Sequence, residues 1–245
     1  MLRIKSIFLL LFAVLSACAG PEVASGIFDP LEAQNRQIHE FNRSVDRAVL
    51  RPVSGVYGES LPEPVRIGIS NFAENLSLPG VVVNDLLQLN IEDALSNTAR
   101  FLINSTLGFA GLLDPAQQAG LAPRDTDFGE TLYVWGFGEG AYVVVPFLGP
   151  STSRAAVGGV VDLFLDPVAV LVPAPERYVA PAAALVSKFG DRFRFSATVD
   201  SILYESADSY AQSRLIYLEN RRFKLGVVVE EQDLYEGLYD GLVEQ

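Results

Sequence analysis

The 245-residue chain is short of the side chains that most protein chemistry uses. It has one cysteine, Cys18, and one histidine, His39. Two such residues cannot build a tetrahedral zinc site, a haem attachment or an iron–sulfur cluster. A disulfide within the chain is impossible, and a histidine-dependent triad has only His39 to use. Positive charge is scarce as well: 18 Lys and Arg stand against 30 Asp and Glu, a formal net charge of −12. That is the wrong sign for a surface that grips nucleic acid through its phosphates. There is no Gly-x-Ser-x-Gly elbow and no P-loop spacing, and Gly136-x-Gly138-x-Gly140 lacks the strand-then-helix setting of a dinucleotide loop. Asp125 and Asp127 lie close together in a Pro-flanked loop, where acids serve as turn or cap residues. No other carboxylate pair stands out as a glycosidase dyad. Without a constellation of nucleophile, base and orienting group, the expectation is a non-enzyme with no catalytic residue, no cofactor and no metal ligand set. Beyond Cys18 a free-standing transmembrane helix is missing too. The best stretch, Ala155 to Pro175, carries Asp162 and Asp166 and is broken by Pro167.

What is present is apolar. Hydrophobic residues make up 49% of the chain and charged ones 20%, and the mean hydropathy is +0.26. A chain of this composition buries a core and is not disordered. The mean hydropathy is high for a soluble domain. Amphipathic helices without a spanning one fit partial embedding in one leaflet or a large apolar cavity, with an ordinary helical core as the alternative.

The strongest local signal is at the N-terminus. Arg3 and Lys5 form a basic head, and Ile7 to Ala17 is almost uniformly apolar. At ~1.5 Å rise per residue that run covers about half of a ~30 Å hydrocarbon core, so it reads as a signal peptide over residues 1–17. Leu15-Ser16-Ala17-Cys18 follows and resembles a bacterial lipobox. The small residues admit the peptide to a narrow protease site, and the thiol is the nucleophile that a lipid donor needs. The alternatives are a plain signal peptide or a buried apolar cysteine. Cleavage before Cys18 removes Arg3 and Lys5 and no acid, taking the formal charge from −12 to −14. Several acyl chains at Cys18 make a stable anchor, since each buried methylene is worth ~0.8 kcal/mol.

Residues 18–28 read as a lipidated tether. Asp29-Pro30-Leu31-Glu32 reads as a helix start with Asp29 as N-cap. Ile38, Phe41, Val45 and Val49 form its apolar stripe, and Arg51-Pro52 ends it. A second helix opens at Pro62 or Pro64 and is broken by Pro79-Gly80. A short apolar helix covers Val81 to Leu89, and Asn90 caps another that stops at Gly108. Gly108 to Pro150 is rich in glycine and aromatics, with Tyr142 to Val145 as a short strand in a hairpin or ordered loop. Ser151 caps a helix to about Phe164. Tyr178 to about Lys224 is mostly helical, with Gly190 as a candidate break, and residues 225–245 form an acidic C-terminal tail. His39, in the first helix, reads as half-exposed and structural.

Read in order, the motifs resemble one family. Asp29-Pro30-Leu31-Glu32, Asn35-Arg36, Phe41-Asn42, Arg51-Pro52-Val53, Asn71-Phe72, Asn75-Leu76, Val83-Asn84 and Leu87-Gln88 lead into Arg100-Phe101-Leu102-Ile103-Asn104-Ser105-Thr106-Leu107-Gly108. Then come Gly111-Leu112-Leu113-Asp114, Asp127-Phe128-Gly129-Glu130-Thr131-Leu132, Trp135-Gly136-Phe137-Gly138-Glu139-Gly140-Ala141-Tyr142 and Pro146-Phe147-Leu148-Gly149-Pro150-Ser151-Thr152 with Arg154. With the lipobox, this set is similar to the MlaA/VacJ family of outer-membrane phospholipid-transport lipoproteins. The chain departs from the family's usual pattern at Ala141, where Pro is common, at Glu130, where Gln is common, and at Ala155, where an acid is common. Ala141 leaves free a backbone that Pro would fix.

The resemblance implies a mainly α, ring-like single domain over residues 29–224, lipid-anchored in the outer membrane and facing the periplasm, with an amphipathic channel through its centre. It implies that phospholipids misplaced in the outer leaflet pass inward through that channel, preserving lipid asymmetry. The implied partners are phospholipid, a trimeric porin and the periplasmic carrier MlaC, with no nucleic acid. On this reading Trp135, Gly136, Phe137, Gly138, Gly140 and Tyr142 are candidates for a hinged channel wall, glycine giving freedom and Trp135 and Tyr142 suiting an apolar–wet boundary. A packed loop with core aromatics is the alternative. Asn71, Asn75, Asn84 and Asn104 are candidate headgroup or partner contacts, or else caps and interhelical bonds. Two other functions stay open on the residues alone: a lipoprotein that scaffolds a porin, and a membrane-surface phospholipase dependent on His39.

Overall fold

A computed structural model describes residues 27–227, and the signal peptide, Cys18, most of the tether and the acidic tail beyond 227 lie outside the described residues. The described chain is mainly helical with one two-stranded sheet. Helix α1 spans Glu32–Val45, continues through a π turn at Asp46–Leu50 and becomes α2 at Arg51–Ser60. Arg51-Pro52 therefore does not end the helix. The Arg51 N–H bonds back to the Asp46 carbonyl, five residues away, and Pro52 falls in the first turn of α2, where a missing N–H is tolerated. Asp29 is not the N-cap either, because α1 starts at Glu32 and the Asp29 carboxylate is drawn into a buried cluster described below.

Helix α3 runs unbroken over Glu63–Leu87 with Pro79 inside it. The expected break at Pro79-Gly80 is overridden by packing: Asn75, Leu78, Val81, Asn84 and Asp85 on either side of it are all buried. Helix α4, Ile91–Thr106, is capped by Asn90 as its sequence dictates, the amide oxygen accepting from the Asp93 N–H at 3.3 Å. A single turn, α5 (Pro115–Gln118), and α6 (Phe128–Val134) follow, capped by Asp114 and Asp127. Strands β1 (Tyr142–Val145) and β2 (Gly149–Thr152) pair antiparallel, Tyr142 opposite Thr152 and Val145 opposite Gly149. Thr152, one residue beyond the expected Ser151 and the last residue of β2, caps α7 (Ser153–Leu165), its hydroxyl oxygen accepting from the Ala155 N–H at 3.2 Å.

A short α8 (Pro167–Leu171) leads to α9 (Val179–Arg194). The chain then bends at Phe195, not Gly190, into α10 (Ser196–Asp200), a second π turn at Ser201–Glu205, and α11 (Ser209–Lys224). Helices α6 and α7 approach through glycine: a Cβ on Gly158 would lie 2.2 Å from the Gly129 nitrogen.

The packing closes on itself. Helix α2 packs on α9, α9 on α3, and α3 on α4, α6, α7 and α8; α6 packs on α7, α7 on both strands, and β1 on α1. The long α1–α2 rod and α3 are thus two sides of a frame joined at one end by α9 and at the other by α6, α7 and the hairpin. The fully apolar core is small. Tyr142, Val144, Tyr210 and Leu218 cluster where the hairpin meets α11, backed by Ile38 and Tyr217.

Candidate functional site

The distribution of side chains is inverted relative to a water-soluble domain. Among the described residues, nine buried ones are apolar and fifteen are polar or charged, while thirty-six large apolar residues are exposed. Exposed apolar residues run along α3, α4 and the segment after α4 (Leu86, Leu89, Leu95, Leu102, Leu107, Phe109). They resume on α7 and α8 (Leu163, Phe164, Leu171). Leu89, at the α3–α4 corner, is 83% exposed. An exposed apolar surface of this extent is unfavourable in water and marks a membrane- or partner-facing side. No helix among the described residues is long and apolar enough to cross a membrane.

The interior is tied together by amides. The Asn75 amide donates to Ser105 Oγ at 3.0 Å. Asn84 donates to Asp162 Oδ1 at 2.8 Å and accepts from Thr131 Oγ1 at 2.9 Å, joining α3 to α7 and α6. Asn104 donates to Asp114 and accepts from the Ala116 N–H, and Asn97 donates to Asp85 and to the Arg124 carbonyl. Asn75, Asn84 and Asn104 are buried and serve as interhelical bonds, the second of the two roles their sequence allows. Asn71 is half-buried and reaches the Leu112 carbonyl at 3.3 Å.

Arginine–carboxylate pairs do the same work over longer distances. Asp29 gathers the Asn35 amide, the Tyr210 hydroxyl and Arg214. Asp46 receives both Nε and Nη2 of Arg192, at 2.8 and 3.0 Å, and the Tyr204 hydroxyl at 2.7 Å. Burial opposes ionisation of Asp46, but the hydrogen bonds from Arg192 and Tyr204 outweigh it and hold the carboxyl below its ordinary pKa. Burial and the Asp46 hydrogen bond push the Tyr204 hydroxyl up to about 12. Arg100 pairs with Asp114, Arg221 takes Asp127 at both oxygens, and Arg222 takes Glu139 at both oxygens. None of these sets was legible as a pair, because the partners lie up to 185 residues apart.

The glycine- and aromatic-rich loop after α6 is held at several points. Trp135 is half-exposed, donates to the Leu87 carbonyl at 3.1 Å and meets Phe128 edge-on at 5.6 Å. Gly136 and Gly140 have φ of +88° and +73°, which favours glycine at both. The Phe137 carbonyl accepts from Arg154, and Glu139 is gripped by Arg222. Gly138 lies between them. Tyr142 is 1% exposed, so it belongs to the core and not to an apolar–wet boundary. Its N–H bonds to the Phe28 carbonyl.

His39 is buried, not half-exposed, because α11 covers it. Its Nε2 lies 2.9 Å from Ser209 Oγ, and its ring meets Tyr210 edge-on. Burial lowers its pKa, so the imidazole is neutral at pH 7. Inside the frame, Glu74 on α3 is solvent-exposed. Even so, the surrounding protein raises its carboxyl pKa, and Asp125, Asp114 and Asp191 add to the rise. The acids that act on Glu74 come from separate elements of the fold. No group of His, Cys, Asp or Glu among the described residues is arranged to hold a metal ion.

A helical frame with amide and ion-pair ties inside and an apolar belt outside defines a membrane-associated class of protein. The chain belongs to the MlaA lipoprotein family, whose model matches residues 27–224. It is 39% identical over 143 residues, 57% of each chain, to the intermembrane phospholipid transport system lipoprotein MlaA of Escherichia coli K12. It is 34% identical over 202 residues to the protein of the same name from Shigella flexneri, covering 81% of this chain and 78% of that one. An uncharacterized protein of Rickettsia bellii is 32% identical over 189 residues, covering 77% of this chain and 73% of that one. A solved structure described as the structural basis for maintenance of bacterial outer membrane lipid asymmetry superposes with a TM-score of 0.67 at 32% identity. The match covers 80% of this chain and 98% of that one.

Proposed function

We propose that this chain is an outer-membrane lipoprotein, acylated at Cys18 and facing the periplasm. It removes phospholipids misplaced in the outer leaflet through an amphipathic channel and passes them to a periplasmic carrier of the MlaC kind, beside a trimeric porin. The observation that carries this reading is the inverted side-chain distribution on a closed helical frame. Acyl tails satisfy the exposed apolar side chains, while the amides and ion pairs of the interior suit a polar headgroup. The names of the Escherichia and Shigella relatives support phospholipid as the cargo. The loop around Trp135 to Gly140 is the proposed movable wall, released when the Arg154 and Arg222 contacts let go.

Mass spectrometry of the protein purified in detergent tests the reading. The expected result is a mature N-terminus at an acylated Cys18 and co-purified phospholipid, together with phospholipid accumulating in the outer leaflet of a deletion strain. A normal lipid distribution in that strain overturns the transport reading in favour of a porin scaffold. Release of lysolipid or fatty acid by the pure protein, lost in His39→Ala, overturns it in favour of a phospholipase.

A further inference from the structure

The buried arginines are not alike. Arg100 and Arg192 each have a carboxylate within 3 Å, as does the half-buried Arg214, and the half-buried Arg221 has both oxygens of Asp127. Arg154, at the N-terminus of α7, is 2% exposed, and no carboxylate among the described residues lies within ion-pair distance of it. Its Nη1 donates to the Phe137 carbonyl at 3.0 Å, its Nε is buried with no hydrogen-bond partner, and its guanidinium carbon sits 5.0 Å from the centre of the Tyr133 ring. Burial lowers its pKa, yet a guanidinium stays protonated in a protein, so a full positive charge is held inside with one neutral acceptor and an aromatic face.

No carboxylate is given over to Arg154 itself. The one that faces it, Glu139, is bound at both oxygens by Arg222, and Asp127, the partner of the neighbouring Arg221, is bound at both oxygens by that arginine. An uncompensated buried charge is costly, and it persists where a ligand completes it. The cover over Arg154 borders the surface. Tyr133, whose ring covers the guanidinium, is partly exposed, and Gly136 beside it has nothing within 4 Å of a Cβ position.

We propose that Arg154 binds the phosphodiester of a lipid headgroup beneath the 135–140 loop. A planar guanidinium donates two parallel N–H bonds to a phosphate, and Arg154 has both an unpartnered Nε and a location next to the proposed movable wall. The inference rests on the transport reading and names the group in that path that holds the cargo.

The test compares the full-length, detergent-purified protein with Arg154→Met, Arg154→Gln and Arg154→Lys. Each is incubated with mixed micelles containing equal amounts of phosphatidylglycerol and uncharged diacylglycerol, and bound lipid is read by native mass spectrometry. Far-ultraviolet circular dichroism checks each fold. The wild type is expected to retain phosphatidylglycerol over diacylglycerol. Met and Gln are expected to lower that preference about tenfold, as the loss of a charge-assisted hydrogen bond implies, and Lys to keep part of it. A folded Met or Gln variant with the wild-type preference overturns the proposal while leaving transport intact. A wild type that retains no lipid of either kind overturns transport and this inference together. Inorganic phosphate, added at the same concentration as the lipid, separates the sources. Displacement of phosphatidylglycerol by the free anion at equal concentration means a free-phosphate site and overturns the headgroup assignment, whereas retention supports it.

Discussion

Two regions of the molecule meet their surroundings in opposite ways. Where α1, the hairpin and α11 come together, Tyr142, Val144, Tyr210 and Leu218 pack as a conventional apolar core, with Asp29 tying Asn35, Tyr210 and Arg214 around it. Along α3, α4, α7 and α8 many leucines and phenylalanines are exposed, and Asn75, Asn84, Asn97 and Asn104 are buried beside Leu78, Val81 and Ala94. In the first region stability comes from burial and charge pairing. In the second, amide bonds take a larger share, because many of the apolar groups are exposed. The same chain thus contains a water-type clasp and a membrane-type arc, and substitutions in the two should behave differently.

The largest effect is expected in the clasp. Asp29→Ala leaves Arg214 without its nearest carboxylate and Tyr210 and Asn35 without an acceptor, and should cost about 3–5 kcal/mol in denaturant unfolding of the detergent-solubilised protein. A loss below about 1 kcal/mol would erase the distinction between the regions. Within the arc, Asn84→Leu breaks the bonds to Asp162 and Thr131 and should cost about 1–3 kcal/mol by the same measurement.

His39 gives a smaller, pH-dependent signature of the clasp. Its folded pKa is lowered by burial, so the unfolded chain binds the proton more readily. The stabilisation is fully present above the unfolded value near 6.5 and is lost as pH falls from there through the folded pKa, at no more than about 1.4 kcal/mol per pH unit. His39→Gln should remove this part of the slope between pH 7 and 5; an unchanged slope would assign it to other groups. The smallest stability change is expected on the outer arc. Leu89→Asp with Leu163→Asp should leave unfolding within about 0.5 kcal/mol of wild type while weakening attachment to phospholipid vesicles, read by flotation. Unaltered flotation would remove these leucines from the membrane face.

Local signals in the sequence were read well where the chain itself closes the structure. Asn90 caps α4, Asp127 caps α6 and Tyr142 to Val145 forms a strand, because each depends on neighbours within a few residues. The prolines misled for the same reason. Pro52 and Pro79 are breakers in isolation, and only the π turn before Pro52 and the packing around Pro79 carry the helices through. Asp29 reads as a cap until Arg214, 185 residues later, claims it. The asparagines are the instructive case. Helical spacing places Asn75 and Asn104 on a face, but it cannot say whether that face looks inward, since in a lipid-facing protein the apolar stripe no longer marks the interior. Arg154 was visible only as one residue of a motif, and its lack of a carboxylate emerges from a census of all the others.

The two π turns carry a consequence for chain length. Asp46–Leu50 and Ser201–Glu205 are joined by the Tyr204 hydroxyl on Asp46, and Arg43, Arg47 and Arg51 all lie over the Tyr204 ring. A π turn holds one residue more than an α-helix needs, so deleting Ala48 would give a locally more regular helix. It would also rotate everything downstream by about 100°, swinging Arg51 away from Asp200. At this joint the fold keeps count: the surplus residue is a spacer that sets the angular phase of the rod, and tidier local geometry would put the two ends out of step.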